Sequence, residues 1–190
     1  MAGCKWLPDL IECKNWAEYE KYINRIYQIF LHDFVDSQPV FEGKTVRIRY
    51  QPKIDGRIQA FYHITSTEYQ KETDRNLDAK RCSRIKWPRS FIENYRCDPS
   101  GCIDCKGIKY WEEPYGSNQR IYLLFEKEMY VVILERRPDY ILLITAYYLD
   151  YPHSLRKLLK RYNQYEKAKL KTEGASFYRT PPGTPSTTGR

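Results

Sequence analysis

The chain has 190 residues, 42% of them hydrophobic and 29% charged, a balance that excludes wholesale disorder and suits one substantial domain with an appended helix and tail. Its formal charge of +8, from 32 basic and 24 acidic residues, points to polyanionic partners, of which nucleic acid is the commonest. No apolar run approaches membrane-spanning length, and the opening MAGCKWLPDLIECK carries acids and a proline where a secretory signal needs an apolar core, so a cytoplasmic protein with no membrane partner is expected.

From Asn15 to about Phe34, apolar residues recur every three or four positions (Tyr19, Tyr22, Ile23, Ile26, Tyr27, Phe30, Phe34), which predicts an amphipathic helix. Asn15 can cap its first turn, with Glu18 in the capping-box position. The texture then changes to period two. TVRIRYQ (45–51) and GRIQAFYHITS (56–66) flank Asp55-Gly56 and read as a hairpin, which places His63 on a strand beside Phe61 and Thr65. A surface loop is expected from Thr67 to Lys80. The basic segment KRCSRIKWPRSFIENYR should end in a short helix with Pro88 in its first turn. Trp87, preceding the proline, is pushed out of helical geometry, which leaves Arg81, Arg84 and Lys86 on an extended lead-in.

GIKYWEE, QRIYLLFEKE, MYVVILERR and YILLITAYYLD follow, the last three joined by connections short enough for an antiparallel meander. YVVIL and YILLIT are apolar on both faces, as for central strands covered on both sides. The helix PHSLRKLLKRYNQYEKAK carries Leu155, Leu158, Leu159, Tyr162 and Tyr165 on one side. The predicted architecture is α+β: an N-terminal helix, a mostly antiparallel sheet of about four strands with a C-terminal meander, and a closing basic helix. These form one domain over 1–171, followed by a disordered Pro/Gly/Ser/Thr-rich tail over 172–190.

The positive charge is concentrated. Between Ala79 and Arg96 lie Lys80, Arg81, Arg84, Lys86, Arg89 and Arg96 against Glu93 alone; between Pro152 and Thr172, seven basic residues stand against Glu166. Phosphate-backbone binding needs such concentration, although a solvated helix face is the simpler account of the terminal stretch. Trp87, Phe91, Tyr95, Tyr162 and Tyr165 interleave the charges and can stack on unpaired bases. Phosphate loops, nucleophile elbows and acid clusters at metal spacing are absent from the sequence. Bases, hydroxyls and cations remain, the parts of metal-free RNA cleavage. Thr145 and Tyr147 share a strand face by alternation, where they either pack or face a substrate.

The combination of RCSRIKWPRSFIEN with YVVILERRPDYILLITAYYLDYPHSLRKLLKRYNQYE resembles a phage- and prophage-encoded branch of the BECR-fold nucleases, the superfamily of barnase, EndoU, colicin-type tRNases and RelE-like toxins. The likeness spans about Phe61 to Glu166. It implies an antiparallel sheet packed on N-terminal helices, with an RNA-cleaving site on the exposed sheet face. The implied activity is a metal-independent endoribonuclease leaving a 2′,3′-cyclic phosphate. The implied context is a toxin or phage-conflict effector, with RNA such as tRNA as substrate and an antitoxin or immunity protein as partner.

Carried onto this chain, the resemblance makes His63 the general base or acid, Arg84 and Arg81 the scissile-phosphate ligands, and Thr145 and Tyr147 further catalytic groups. Lys86, Trp87 and Arg136 join Arg81 in binding substrate. The competing readings are an RNA- or single-stranded-DNA-binding protein that does not cut, and an antidefence or assembly protein whose tyrosine-rich faces bind protein. Cleavage itself needs no cofactor. Separately, Cys97, Cys102 and Cys105 form C-x4-C-x2-C, and Cys82 would complete a four-thiolate structural zinc site, with Cys4 or Cys13 as alternative fourth ligands. Buried, unligated thiols are the other account.

Overall fold

A computed structural model describes residues 4–67, 77–101 and 105–177, with the helical backbone alone over 173–177. The N-terminal helix begins as a 3-10 turn, Trp16–Glu18, in which Asn15 Oδ1 accepts the Ala17 N–H at 3.0 Å. It continues as α1 (Tyr19–Leu31) and ends in a π-type turn over His32–Asp36. Ile23, Ile26, Phe30 and Phe34 are buried, as the helical period requires.

Two short strands follow, β1 (Val40–Phe41) and β2 (Lys44–Arg47), then the two-residue ribbon of β3 (Lys53–Ile54) and β4 (Arg57–Ile58). Asp55 and Gly56 turn this ribbon with φ of 47° and 75°, the two left-handed residues of a tight hairpin. The predicted hairpin therefore exists but is short. The chain does not go on as a strand through His63: Gln59–Thr65 is a helix, α2. Its Phe61 ring meets Tyr27 at 5.0 Å and Phe30 at 5.6 Å, so α2 is wedged against α1. A helix buried on nearly every side, rich in aromatic and β-branched residues, has the texture of a strand, which is why alternation misled here.

The basic segment is also helical where an extended lead-in was expected. Ala79–Cys82 forms α3, capped by Asp78 accepting the Arg81 N–H at 3.0 Å, and a tight turn through Lys86 enters α4 (Trp87–Glu93). Trp87 is the first residue of α4 with Pro88 beside it. The steric bias against helix before proline is overcome by burial of the indole, whose Nε1 donates to the Pro8 carbonyl at 2.9 Å. Most of the predicted 67–80 loop lies outside the described residues, with Ser66 and Leu77 bridged across it.

Strands β5 (Lys109–Tyr115), β6 (Asn118–Phe125), β7 (Tyr130–Arg136) and β8 (Ile141–Tyr148) form the antiparallel meander. β2 joins its far side in parallel with β8, giving a six-stranded sheet in the order β1-β2-β8-β7-β6-β5, not the four strands expected. The excess comes from β1, too short to announce itself, and from β2, which begins the expected strand TVRIRYQ but pairs with β8 and not across Asp55-Gly56. One face of the sheet packs on α1, α2 and α4 through Ile121, Leu123, Phe125, Tyr130, Val132, Leu134, Ile141, Leu143 and Ala146. On the other, Trp111, Tyr122, Leu124, Val131 and Ile133 lie under Leu155, Leu158, Leu159 and Tyr162 of α5 (Pro152–Phe177). α5 thus runs into the stretch expected to be tail, and 178–190 lie outside the described residues. No described helix is long and apolar enough to cross a membrane.

Glu113 on β5 ties α5 down. It accepts from Arg161 Nε at 2.8 Å and from Arg161 Nη2, and takes the Trp111 indole N–H at 2.9 Å. The Arg161 guanidinium holds the Glu113 carboxyl below its ordinary value, against a smaller opposing effect of burial. A depressed carboxylate contributes stability above its unfolded pKa and loses it as pH falls through the folded value. Acid titration from pH 6 to 3, followed by Trp111 emission, should therefore show α5 loosening below about pH 4.3 in the wild type. Glu113→Gln should show less of that change; an identical acid profile would remove this bond from the account. Phe30→Ala, in the centre of the α1–α2 contact, should lower unfolding free energy by about 3–5 kcal/mol in urea, and a loss below about 1 kcal/mol would contradict the assigned core.

Candidate functional site

β2 pairs with β8 only through Val46↔Ile141 and Arg47↔Leu142. Beyond those residues the two chains part, and α2 packs against the rest of β8. At the parting the register of β8 against β7 slips: Ile133 faces Thr145 while Leu134 faces Leu143, so Ile144 is the extra residue of a bulge. The slip changes the parity of the strand. Leu143 and Ala146 face the α1–α2 core, whereas Ile144 and Tyr147 face the other side, along with Thr145 opposite Ile133. An apolar strand thereby places two hydroxyl side chains at the rim of an opening without breaking its core.

That opening is a cleft of about 460 Å³, lined by Arg49, Tyr62, His63, Ser66, Arg81, Tyr115, Arg120, Ile144, Thr145 and Tyr147. Its size lies within the roughly 300–1,000 Å³ of small-ligand sites. Thr145 Oγ1 donates to the His63 backbone carbonyl at 2.6 Å, which fixes the α2 turn that carries the imidazole. Arg81 Nη1 donates to the Ser66 carbonyl at 2.8 Å, and its guanidinium stands 5.2 Å from the Tyr147 ring centroid. Burial pushes the Tyr147 phenol above its ordinary pKa, with Arg81 pulling partly back, so the hydroxyl keeps its proton at neutral pH. Arg120 lies 3.9 Å over the Tyr115 ring and donates through Nε to Glu135 at 2.6 Å; Glu135 is 2% exposed and also accepts from Arg137.

Three arginines thus meet at a cleft whose lining, among the described residues, contains no carboxylate. Glu135, behind the wall, offsets Arg120. Arg49 is exposed and Arg81 bonds a neutral carbonyl, and neither forms an ion pair with a described carboxylate. The cleft therefore carries uncompensated positive charge beside an imidazole and three tyrosines.

Of the residues singled out in the sequence, His63, Arg81, Thr145 and Tyr147 come together here. The others do not. Arg84 sits on the opposite side of β8, its guanidinium 4.8 Å from the ring centroids of both Trp87 and Tyr148, with Nη1 donating to the Lys80 carbonyl. It faces a separate groove formed by the N-terminal segment and α3. Lys86 is exposed beside Arg89 and His32, and Trp87 is buried, closed to stacking on a base. Arg136 is held between Glu42 and Glu112, at 2.7 Å from Glu42 Oε2, with these partners raising its pKa. Arg81 and Arg84 diverge because α3 ends at Cys82 and the chain turns through 83–86 before entering α4.

Arg49, Arg120 and Tyr115 were not picked out. Arg49 is the second arginine of the run VRIRY, two residues past the end of β2, and Arg120 stands in β6 just before the apolar IYLLF. Those positions were the available signal, weak because arginines beside apolar strand runs are usually solvated.

The cysteines regroup as well. Cys82 is buried against the Thr65 carbonyl, 3.6 Å from its sulfur, and burial pushes its thiol up to about 12. It does not join Cys105. The cysteine facing Cys105 is Cys4, with 3.6 Å between the sulfurs. Cys97 lies in the loop before β5, and Cys102 is outside the described residues.

Thr145→Val keeps the shape of β8 but removes the donor to the His63 carbonyl. Stability should fall by about 1–2 kcal/mol in urea, with faster amide exchange across 59–65, while Thr145→Ser should restore both. Unchanged exchange in the valine variant would show that this bond does not hold α2. Comparison with protein-family models, with curated proteins and with solved structures found no match for the chain.

Proposed function

We propose that the chain is a metal-independent endoribonuclease whose substrate phosphate lies in the cleft between β2, α2 and β8. The observation that carries the reading is the grouping of Arg49, Arg81 and Arg120 with His63 and Tyr147, in a cleft lined by no described carboxylate. Guanidinium groups bind phosphate oxygens through paired, charge-assisted hydrogen bonds and stay charged at every physiological pH. Tyr115, which is exposed, offers ring surface at the same cleft for an unstacked base. The resemblance to BECR-fold nucleases, and the α+β plan with its site on the uncovered part of a sheet face, point the same way.

In the chemical step, neutral His63 takes the proton of the ribose 2′-hydroxyl as the 2′-oxygen bonds to phosphorus. The bond from phosphorus to the 5′-oxygen breaks, and that oxygen takes a proton from the Tyr147 hydroxyl. The products are a 2′,3′-cyclic phosphate and a free 5′-hydroxyl. Arg81, beside the Tyr147 ring, stabilises the phenolate until it regains a proton from the His63 imidazolium, which restores both groups. Arg49 and Arg81 offset the charge gathering on the phosphate. Thr145 acts through His63, as a positioning residue.

The purified chain, incubated with tRNA and with total RNA in excess EDTA, should yield fragments ending in 2′,3′-cyclic phosphate. His63→Ala should slow cleavage by about 10²–10⁴-fold and Tyr147→Phe by a similar order, whereas Arg136→Ala, outside the cleft, should leave the rate within a few-fold of wild type. Absence of fragments, or cleavage by His63→Ala at the wild-type rate, overturns the enzymatic reading. Steeply salt-dependent retention of RNA without products would instead establish a binding protein.

A further inference from the structure

The cleft has a neighbour. Val46 and Ile48 are buried in the core, so by alternation Arg47 and Arg49 stand on the other face of the chain, and both are exposed. Arg49 lines the cleft and also a second opening of about 410 Å³, whose walls include Arg47, Tyr50, Arg137, Tyr140 and Leu142. The two openings therefore meet at one guanidinium. Among the described residues, neither lining contains a carboxylate.

Sheet register ties the two openings together. Arg120, Glu135, Leu142 and Arg47 are successive partners across β6, β7, β8 and β2. Their neighbours Ile121, Leu134, Ile141 and Val46 face the helical core, so this row lies on the opposite face, the one that carries α5. None of the four belongs to the cluster packed under that helix. Glu135 accepts from Arg120 on the cleft side and pairs with Arg137 of the second opening. One carboxylate, 2% exposed, is thus shared by two arginines, while Arg47 and Arg49 pair with no described carboxylate. The far wall is braced: the Arg47 guanidinium stands 4.9 Å from the Tyr140 ring centroid, and Lys44 Nζ donates to the Pro138 carbonyl at 2.6 Å.

We infer that the second opening takes the nucleotides next to the scissile phosphate, so that one RNA strand runs from the cleft over Arg49 to Arg47 and Arg137. The inference rests on the nuclease reading of the cleft and adds a substrate class to it: single-stranded RNA longer than a dinucleotide. Burial alternates over 46–49 as in extended chain, where residues two apart stand about 6.6 Å from one another. That interval sets Arg47 and Arg49 at a spacing comparable with successive phosphates of an extended strand, which guanidinium groups bind through paired, charge-assisted hydrogen bonds. Tyr50, 42% exposed, presents a ring on which an unpaired base can stack, and a duplex offers that ring no free base face.

Binding of non-cleavable 2′-O-methyl RNA to the full chain tests this, a dinucleotide reporting the cleft and an octanucleotide reporting cleft and second opening together. The octanucleotide should bind at least about tenfold more tightly, and annealing it to its complement should remove that advantage. Arg47→Ala should lower octanucleotide affinity about fivefold or more and reduce the slope of log Kd against log salt by about 0.7, with a much smaller effect on the dinucleotide. Tyr50→Ala should weaken the octanucleotide by about fivefold or more through lost stacking. An octanucleotide that binds no more tightly than the dinucleotide, or binds Arg47→Ala as it binds the wild type, would overturn the inference and leave the cleft reading standing. Equal loss of both oligomers in an Arg47→Ala chain with wild-type thermal unfolding would overturn it too, by placing Arg47 in the cleft. A chain that binds neither oligomer would remove the cleft reading and this inference with it.

Discussion

The edge of β8 is the constraint on which the rest of the structure turns. A strand in mid-sheet satisfies its backbone on both sides, but β2 accompanies β8 for only two residues before leaving. From there a helix takes the place of a strand, with Thr145 Oγ1 donating to the His63 carbonyl. An exposed strand edge invites pairing with another chain, and covering it with a helix removes that hazard. A helix meeting a strand edge leaves a gap that a strand would have filled. The cleft is that gap, and His63 stands at it because α2 is the covering element.

Charge follows the same geometry. On and against the sheet, arginines are matched by carboxylates: Arg136 by Glu42 and Glu112, Arg120 by Glu135, and Arg161 of α5 by Glu113. Around the gap the matching stops, and Arg49 and Arg81 face the cleft without carboxylate partners among the described residues. The exposed cations of α5 (Arg156, Lys157, Lys160, Lys167, Lys169 and Lys171) are a different kind of charge, spread over a solvated helix face whose other side is committed to Trp111 and Tyr122. They can raise the local concentration of a polyanion, but they lack the fixed geometry that would hold one phosphate.

Sequence reasoning succeeded where a single element carries its own pattern. The 3.6-residue spacing of Ile23, Ile26 and Phe30, the unbroken apolar run of β7, and the Asp55-Gly56 turn were each legible because local chemistry decides them. It failed where tertiary context decides. Gln59–Thr65 is a helix because it fits between α1 and β8, and its composition cannot say so. The bulge at Ile144 is invisible to alternation, although Thr145 and Tyr147, lying beyond it, share a face as alternation expected. Arg84 and Arg136 were drawn in by charge and spacing, whereas the structure matches one to aromatic rings and the other to carboxylates. Arg49, just past β2, and Arg120, in β6, are distant in the chain, and only the fold brings them to His63.

The cysteines show the same division. Spacing alone favoured Cys82 as partner to the C-x4-C-x2-C segment, but a thiol buried under α2 cannot reach that loop. Cys4 arrives because Trp6 is drawn into the aromatic cluster of Phe91 and Phe125. In both the cleft and the N-terminal segment, apolar packing positions polar groups whose own interactions would not have brought them together.

The central claim, that polynucleotide phosphate seats in the cleft and not along α5, is tested most directly by titrating a non-cleavable 2′-O-methyl RNA oligomer into the chain while following the His63 imidazole resonances. The account requires saturable shifts at His63, and a fall in affinity of at least tenfold in Arg49→Ala and Arg81→Ala. It also requires a much smaller loss on replacing Lys157 and Lys160 together. Undisturbed His63 resonances, with affinity lost only in the α5 variant, would contradict it.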